Sequence, residues 1–196
     1  MKTALLVIDV QKVYTDAESD LCCKQAATTV KRINDLIEKF QKANAPIYLI
    51  RHIHKTDGSD LGRMFDFTGE AEEDFNFKEG SEEVEYDDGL IKPKNAFEII
   101  KNRYSALEGT KLDSMLKKEG IKKVVICGFM TNFCCESTAR SAHDKDYYID
   151  LIIDATGTPG TENFDQTKIR KYVTDCMEAG IARVMTTKNY LKENQT

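Results

Sequence analysis

An α/β fold is predicted for this chain, with helices packed on both faces of a six-stranded, mainly parallel sheet. Two observations predict it: short apolar runs alternate with longer segments of helical spacing, and the runs are apolar at nearly every position. Strand–helix alternation is typical of parallel sheets, and strands covered on both faces are almost continuously apolar. Because 196 residues suit one domain, we expect residues 1–196 to form a single domain.

Six apolar runs supply the predicted strands, at 4–8, 47–50, 96–101, 123–127, 148–153 and 182–186. Helices are predicted between them, at 24–43, at about 110–120, from about 132 onward and at 162–179. The helix at 24–43 has apolar side chains at helical spacing, which would form one buried face: Val30, Ile33, Ile37 and Phe40.

Capping residues mark two of the predicted helix starts. Thr110 and Asp113 resemble a capping box, and Gly120 suits the position just after the end of that helix. Either Thr131 or Asn132 is a good N-cap for the helix that follows the fourth strand.

Residues 55–95 form the longest irregular segment, and their charge is strongly negative, with EAEED at 70–74 and EEVEYDDG at 82–89. Such a run is usually a solvated surface loop. A loop of this length is often functional. A lid, a subunit contact and a partner-binding surface at 66–88 remain open alternatives.

The charge balance excludes several classes of partner. The formal net charge is -5, from 28 basic and 33 acidic residues, which argues against a nucleic-acid-binding surface. No apolar run approaches the roughly 20 residues that span a bilayer. The first apolar stretch meets Asp9 too early for a secretion signal. We therefore expect a cytoplasmic protein that binds a small molecule, without nucleic-acid or membrane partners.

Six cysteines are present, including the vicinal pairs Cys22–Cys23 and Cys134–Cys135. A disulfide framework is typical of small secreted chains, and the CxxC spacing of zinc sites does not occur. We expect free thiols, most of them buried. A redox role for the vicinal pairs is the weakest alternative, because neither matches CxxC.

Polar residues follow several predicted strands at their carboxyl ends, where ligands bind in parallel sheets. Asp9, Lys101, Cys134 and Asp154 all lie there. We therefore expect these separated segments to converge on one edge of the sheet.

Helical spacing distinguishes the two adjacent cysteines after the fourth strand. Cys135 falls on the face of Ala139 and Ala142, which suits packing on a sheet, whereas Cys134 falls on the more polar face of Thr138. Cys134 is therefore the predicted nucleophile.

A thiol in the first turn of a helix, beside a cation, has a lowered pKa. We therefore expect the helix start and Lys101 to favour the Cys134 thiolate, with Asp9 as proton carrier. N–H groups of the same turn would stabilise an oxyanion. Spacing alone leaves a plainer reading open, in which Cys134 fills the core, Asp9 shapes a turn and Lys101 lies on the surface.

Three separated segments read ALLVIDVQ at 4–11, KNRYSAL at 101–107 and GFMTNFCCESTARSA at 128–142. In this order and at these separations they resemble the isochorismatase-like cysteine hydrolases, a family that includes nicotinamidases and carbamoyl-amide hydrolases. DAT at 154–156 and the terminal strand also match. The resemblance thus covers nearly the whole chain.

The resemblance implies a three-layer Rossmann-like fold, a homo-oligomer and a catalytic triad of Asp9, Lys101 and Cys134. It also implies a cis peptide between Phe129 and Met130, which would direct the N–H groups of Met130 and Cys134 at the substrate oxygen. The implied reaction is attack of the Cys134 thiolate on a carbonyl, loss of amine or ammonia, and hydrolysis of the thioester.

Candidate substrate-binding residues are Tyr14, His54 and Tyr104. Many relatives read DxQxDF near the start, whereas Val13 and Tyr14 replace the second Asp and the Phe here. Tyr14 is equally suited to the core.

Nicotinamidases bind a metal through a DxH pair and a further histidine. The matching segment here is His52-Ile-His54, and His143 is the one other histidine. Alternate histidines at a strand end are more often substrate contacts than metal ligands, so we expect no metal and no cofactor. Retention of Cys134 argues against isochorismate hydrolysis, which needs no thiol.

The sequence therefore predicts a metal-independent cysteine hydrolase that cleaves a C–N bond of a small amide or carbamoyl-type substrate. A catalytically silent binding or scaffold protein of the same fold is one alternative. A metal-dependent nicotinamidase is the other.

Overall fold

A computed structural model of the chain describes residues 1–64, 66, 68–69 and 75–193. The acidic run at 70–74 lies outside the described residues, so the predicted partner surface at 66–88 is described only in part. The described chain contains six strands: β1 Thr3–Ile8, β2 Ile47–His52, β3 Phe97–Lys101, β4 Lys123–Phe129, β5 Tyr148–Gly157 and β6 Arg183–Met185.

Every pairing between these six strands is parallel, and their order across the sheet is β3-β2-β1-β4-β5-β6. The predicted α/β fold is confirmed, and the sheet is parallel throughout rather than mainly parallel. The order reverses between β1 and β4, which is the point where ligands bind in open parallel sheets.

Helices cover both faces of the sheet, as predicted: α1 Lys12–Thr15, α2 Ala26–Lys42, α3 Leu112–Lys118, α4 Glu136–His143, α5 Gln166–Glu178 and α6 Thr187–Glu193. Successive residues of a strand point to opposite faces. Leu5 and Val7 of β1 therefore pack with α2 and α6 in one core, while Leu6 and Ile8 pack with α3, α4 and α5 in the other.

The predicted apolar face of α2 is buried in full. None of the described helices combines the length and the apolar character that a membrane crossing requires.

Two predicted helix starts were wrong. Neither Thr131 nor Asn132 caps a helix, because a π-helical turn, Thr131–Cys135, follows β4. In this turn the Cys135 N–H donates to Met130 O, five residues back, at 3.1 Å. Thr110 does not form the capping box either: α3 begins at Leu112, after the N-cap residue Lys111, and the Thr110 hydroxyl accepts from the Leu112 N–H, at 3.1 Å, instead of from Asp113.

The helix predicted at 162–179 begins later, at Gln166. Asp165 caps it, since its Oδ1 accepts a hydrogen bond of 2.8 Å from the Lys168 N–H. An N-cap acceptor of this kind satisfies one of the unpaired N–H groups of the first turn, which fixes the start of the helix.

The region predicted as a solvated loop packs on the protein over part of its length. Phe77, Val84 and Tyr86 join the core that contains α2, and a short 3-10 helix, Glu82–Val84, lies among them. A bridge between Gln11 and Tyr86 fixes this segment beside the end of β1. The described part of 75–95 is therefore a packed wall at the carboxyl edge of the sheet.

Candidate active site

Four neighbouring strands each deliver one reactive side chain to the same edge of the sheet. Lys101 ends β3, His52 ends β2, Asp9 follows β1, and Cys134 lies in the turn after β4. All four side chains are buried. Two of these strands, β1 and β4, meet where the strand order reverses, so the cluster lies at the predicted ligand position.

Lys101 contacts both of the other predicted catalytic residues, Asp9 and Cys134. Its Nζ lies 2.8 Å from Asp9 Oδ2 and 3.2 Å from Cys134 Sγ. Nζ also donates to the Arg103 carbonyl oxygen at 3.1 Å. An ammonium group has three donors, so each faces an acceptor in this arrangement.

Asp9 adopts a backbone conformation that few residues with a side chain adopt, with φ of 50°. Aspartate is among the residues that tolerate this left-handed region. Hydrogen bonds hold it there: the Asp9 N–H donates to Ile50 O at 3.0 Å, and the Asp9 carbonyl accepts from the Gln11 N–H at 2.8 Å. The carboxylate is thereby held where the strand order reverses, between β1 and β4.

Cys134 and Cys135 are both buried in the core that contains α4. Of these two cysteines, only Cys134 lies within hydrogen-bond distance of a cationic side chain, Lys101, in the described part of the chain. The prediction that Cys135 packs in the core with Ala139 and Ala142 is confirmed. All six cysteines are free thiols, as predicted.

The predicted low pKa of Cys134 was wrong. Burial raises the pKa of the Cys134 thiol to about 12, against the opposing effect of Lys101. Burial also raises the pKa of Asp9, again against Lys101. For Lys101, burial acts to lower the pKa, but Asp9 and Cys134 outweigh it, so the pKa is raised. One ammonium thus serves two acids, and the raised pKa of Cys134 keeps its thiol neutral at rest.

The peptide between Phe129 and Met130 is cis, as the resemblance implied. Phe133 N–H and Cys135 N–H both donate to the Met130 carbonyl, at 3.2 Å and 3.1 Å. The Met130 N–H donates to no backbone acceptor in the described part of the chain. It stays available as a donor.

The π-helical turn Thr131–Cys135, which carries Cys134, is tied to β5 through two buried threonines. Thr131 Oγ1 and Thr156 Oγ1 are 2.8 Å apart, and the Thr156 hydroxyl donates to Ile153 O at 2.9 Å. The DAT segment singled out in the sequence thus braces the turn that carries Cys134.

Tyr14 and Tyr104, two of the predicted substrate-binding residues, lie in different surroundings. Tyr14 is buried and stacks on Phe129, with ring centroids 5.6 Å apart. Tyr104 is 38% exposed, its ring lies 5.3 Å from that of Phe133, and partial burial raises its pKa. Substrate contact by either residue remains a prediction.

His54, the third predicted substrate contact, lies behind His52. The two Nε2 atoms are 3.0 Å apart. It is His52 whose ring nitrogen lies within 4.8 Å of an Asp9 carboxylate oxygen and of Cys134 Sγ. Sequence reasoning selected His54, although His52 ends the strand between those of Asp9 and Lys101. That position in the strand order was the signal for His52.

A metal does not fit the donor set of this site. Asp9, His52 and Cys134 are the one group of three potential ligands among the described residues. The Lys101 ammonium already pairs with two of them, so a divalent cation would lie against a fixed positive charge. His143 is exposed on α4 and lies outside this group.

Comparisons with known proteins agree with this geometry. The isochorismatase domain model matches residues 3–189. "Nicotinamidase 3" of Arabidopsis thaliana is 31% identical over 186 residues, which cover 88% of this chain and 84% of the relative. A cysteine hydrolase from Pseudomonas syringae pv. phaseolicola superposes with a TM-score of 0.89 at 25% identity, over 97% of this chain and 91% of its own.

N-carbamoylsarcosine amidase from Thermoplasma acidophilum shares the fold, with a TM-score of 0.73 at 24% identity over 95% of this chain and 97% of its own. The domain match spans nearly the whole chain, and the plant relative is similar along most of it. The chain therefore belongs to the isochorismatase family.

Proposed function

We propose that the protein is a metal-independent cysteine amidohydrolase that cleaves a C–N bond of a small amide or carbamoyl-type substrate. The observation that carries the proposal is the position of Lys101, whose Nζ lies 2.8 Å from Asp9 and 3.2 Å from Cys134. A buried acid, a cation and a thiol in mutual contact are the groups that thiol-based acyl transfer needs.

The first step follows from the protonation states. Because the thiol is neutral at rest, the Asp9 carboxylate takes the S–H proton as the Cys134 sulfur attacks the carbonyl carbon. A C–S bond forms, and the C=O π electrons move to the oxygen. Donation by the Met130 and Cys134 N–H groups would stabilise that oxyanion. Lys101 keeps its proton and balances the negative charge.

The tetrahedral intermediate then collapses with cleavage of the C–N bond. Protonated Asp9 transfers its proton to the leaving nitrogen, so ammonia or an amine departs and a Cys134 thioester remains. In the second half, water loses a proton to Asp9 while its oxygen attacks the thioester carbon. The C–S bond breaks, the sulfur regains the proton from Asp9, and an acid is released.

The names of the relatives support an amide or carbamoyl substrate. One is called a nicotinamidase, another a cysteine hydrolase, and a neighbour in fold an N-carbamoylsarcosine amidase. The exposed rings of Tyr104 and Phe133 suit contacts with the part of the substrate that does not react. Tyr14, buried against Phe129, would shape the floor of the substrate pocket.

Acylation of one of two adjacent cysteines tests the proposal directly. Ammonia release is measured with a panel of primary amides and N-carbamoyl compounds, and intact-protein mass spectrometry detects the acyl adduct. Cys134→Ala is expected to abolish turnover and adduct, while Cys135→Ala keeps both. Unchanged turnover in a folded Cys134→Ala protein would overturn the mechanism. An unacylated Cys134 across the panel would favour the catalytically silent alternative.

Homo-oligomer formation and a cytoplasmic location stay predictions. Sedimentation velocity tests the first, and cell fractionation tests the second.

A further inference from the structure

A series of three side chains in contact, the half-buried Asp60 and the buried His54 and His52, runs from the loop after β2 to the catalytic cluster. Asp60 Oδ1 lies 3.4 Å from His54 Nδ1, and His54 Nε2 lies 3.0 Å from His52 Nε2. His52 in turn brings a ring nitrogen within 4.8 Å of Asp9 and Cys134. The reaction proposed above uses none of these three residues.

We propose that Asp60 and His54 are positioning residues that fix the tautomer of His52, so that His52 offers a hydrogen-bond acceptor, Nδ1, to the catalytic cluster. The role of that acceptor in turnover rests on the proposed function, whereas the tautomer assignment does not. The donor it would receive is an amide N–H of the substrate or the O–H of the hydrolytic water.

Asp60 sets the direction in which the three side chains donate and accept hydrogen, because its carboxylate oxygens are held as acceptors. Its Oδ1 accepts from the Lys55 N–H at 3.0 Å, and its Oδ2 accepts from Asn102 Nδ2 at 3.2 Å. Burial acts against its ionisation, but these hydrogen bonds hold the pKa of Asp60 below its ordinary value. The contact with His54 Nδ1, at 3.4 Å, does not meet hydrogen-bond geometry, but an ionised carboxylate only accepts, so the nitrogen that faces it, His54 Nδ1, is the one we assign the hydrogen.

The tautomer of His54 then determines that of His52. A neutral imidazole with Nδ1–H has a lone pair on Nε2. Two Nε2 atoms at 3.0 Å share one hydrogen, which must come from His52. His52 Nδ1 is left with a lone pair, and it has no hydrogen-bond partner among the described residues.

Both rings stay neutral near pH 7. Burial and then the charge of Lys101 lower the pKa of His52 far below its ordinary value. Burial also lowers the pKa of His54, against the opposing charge of Asp60. Lys101 and Arg103 face both rings with positive charge, so a proton added to either one would be repelled.

The His52 ring is held so that it does not turn. The Gln11 side chain accepts from the His52 N–H at 2.9 Å and donates to its carbonyl at 3.0 Å. The ring of Phe77 stacks on His52, 4.6 Å away and inclined by 9°. Phe77 itself has φ of 69°, a conformation that bulky residues rarely adopt. These contacts keep the proposed acceptor, His52 Nδ1, in a fixed orientation toward the catalytic cluster.

Nitrogen NMR of the intact protein tests the assignment without a substrate. The chain has three histidines, so ¹⁵N-histidine labelling gives three ring systems, assigned through His52→Gln, His54→Gln and His143→Gln. At pH 7 long-range ¹H–¹⁵N spectra are expected to show hydrogen on His52 Nε2 and on His54 Nδ1. Hydrogen on His52 Nδ1, or a doubly protonated His52, would overturn the proposal.

A pair of matched variants tests whether Asp60 acts at a distance. Asp60→Asn can donate as well as accept, so the tautomer signals of both histidines are expected to shift. Asp57→Asn is the control: it lies in the same loop, and its carboxylate accepts from the Ser59 N–H instead. If only the His54 signals change in Asp60→Asn, the proposal that Asp60 fixes the His52 tautomer through His54 is contradicted. If Asp60→Asn does not fold, the wild-type spectrum still decides.

Two further readouts separate this proposal from its rivals. Equimolar Zn²⁺ is expected to leave both Nε2 signals unchanged, and metal-shifted signals would show a metal site instead. Asp60→Asn is also expected to lower kcat roughly ten-fold, while Asp57→Asn keeps it. Expected spectra combined with unchanged turnover in Cys134→Ala would retain the tautomer chain and reject the hydrolase mechanism.

Discussion

Lys101 Nζ lies 3.2 Å from the Cys134 sulfur, although two strands, β2 and β1, lie between β3, which ends at Lys101, and β4, which precedes the turn with Cys134. The same nitrogen pairs with Asp9 at 2.8 Å. One buried cation therefore balances one negative charge, on either the carboxylate or the thiolate. Ionisation of the two acids is therefore coupled, which is the basis of the proton transfer from sulfur to Asp9 in the proposed reaction.

Asp9 is expected to control the acid side of the pH–rate profile. Burial raises its pKa, so kcat/KM should rise with pH through an ionisation above about 3.9, the ordinary aspartate value. Asp9→Asn should lower kcat by about 10²–10⁴-fold. Asp20→Asn, exposed in the loop before α2, serves as control. An acid limb that survives in Asp9→Asn would assign it to another group.

Alkaline stability should report the raised pKa of Cys134. A group with a raised pKa in the folded state contributes stability below its unfolded pKa and loses it as pH rises toward the folded value. For Cys134 this window runs from about 8.5 to about 12. Relative to Cys134→Ser, the wild-type free energy of unfolding should fall by about 1.5 kcal/mol between about pH 8.5 and 10.

Urea unfolding at several pH values measures that difference. Between pH 6 and 7.5 it should stay flat, which provides the internal control. A difference that grows with rising pH would mean that the folded state favours the thiolate.

Gly128→Ala should be strongly destabilising. Gly128 pairs with Ile8 across β1 and β4, its φ is 124°, and an added Cβ would overlap the Ile8 carbonyl. We expect a loss of about 3–5 kcal/mol from strain and overpacking. Gly120→Ala, with φ of 67° and open space around it, should cost about 1 kcal/mol. Equal losses in urea unfolding would contradict the close approach of the two strands.

Gln11→Leu should loosen His52 and the segment beside it. The Gln11 amide bonds both backbone groups of His52 and donates to Val84 O at 2.9 Å. Buried groups left without partners cost about 1–3 kcal/mol each, so we expect a loss of several kcal/mol together with a lower kcat. Gln41→Leu, exposed on α2, should leave both unchanged. A drop in stability with an unchanged kcat would mean that Gln11 stabilises the fold without affecting the proposed active site.

Chelation should leave activity intact. The cluster of Asp9, His52 and Cys134 already contains the Lys101 ammonium, so turnover after dialysis against a chelator is expected to equal that before it. Elemental analysis of the dialysed protein provides the control. Activity lost on dialysis and restored by Zn²⁺ would favour the nicotinamidase alternative.

Much of the fold could be predicted because strands covered on both faces are apolar at nearly every position. Asp9, Lys101 and Cys134 were selected because each stands where such a run ends or just after it. Their roles came from the resemblance to a family rather than from spacing. What could not be predicted depends on contacts through space.

The π-helical turn is one such case, because it requires the Met130 carbonyl to accept from two N–H groups. The neutral resting thiol is another: the helix start and the cation are visible in the sequence, but burial and the competing Asp9 charge are not. The chain from Asp60 to His52 likewise joins residues whose rings meet only after folding.

Lys101, the lysine of the proposed catalytic triad, stands on an edge strand of the sheet. β3 pairs with β2 and with no further strand in the described structure, and its Ile100 is 59% exposed. Peripheral elements open at a lower free energy than the core. Detachment of β3 would carry Lys101 away while the remaining strands stay assembled. Activity would therefore depend on the attachment of this single edge strand. With rising denaturant concentration, catalytic activity should be lost before the rest of the sheet unfolds.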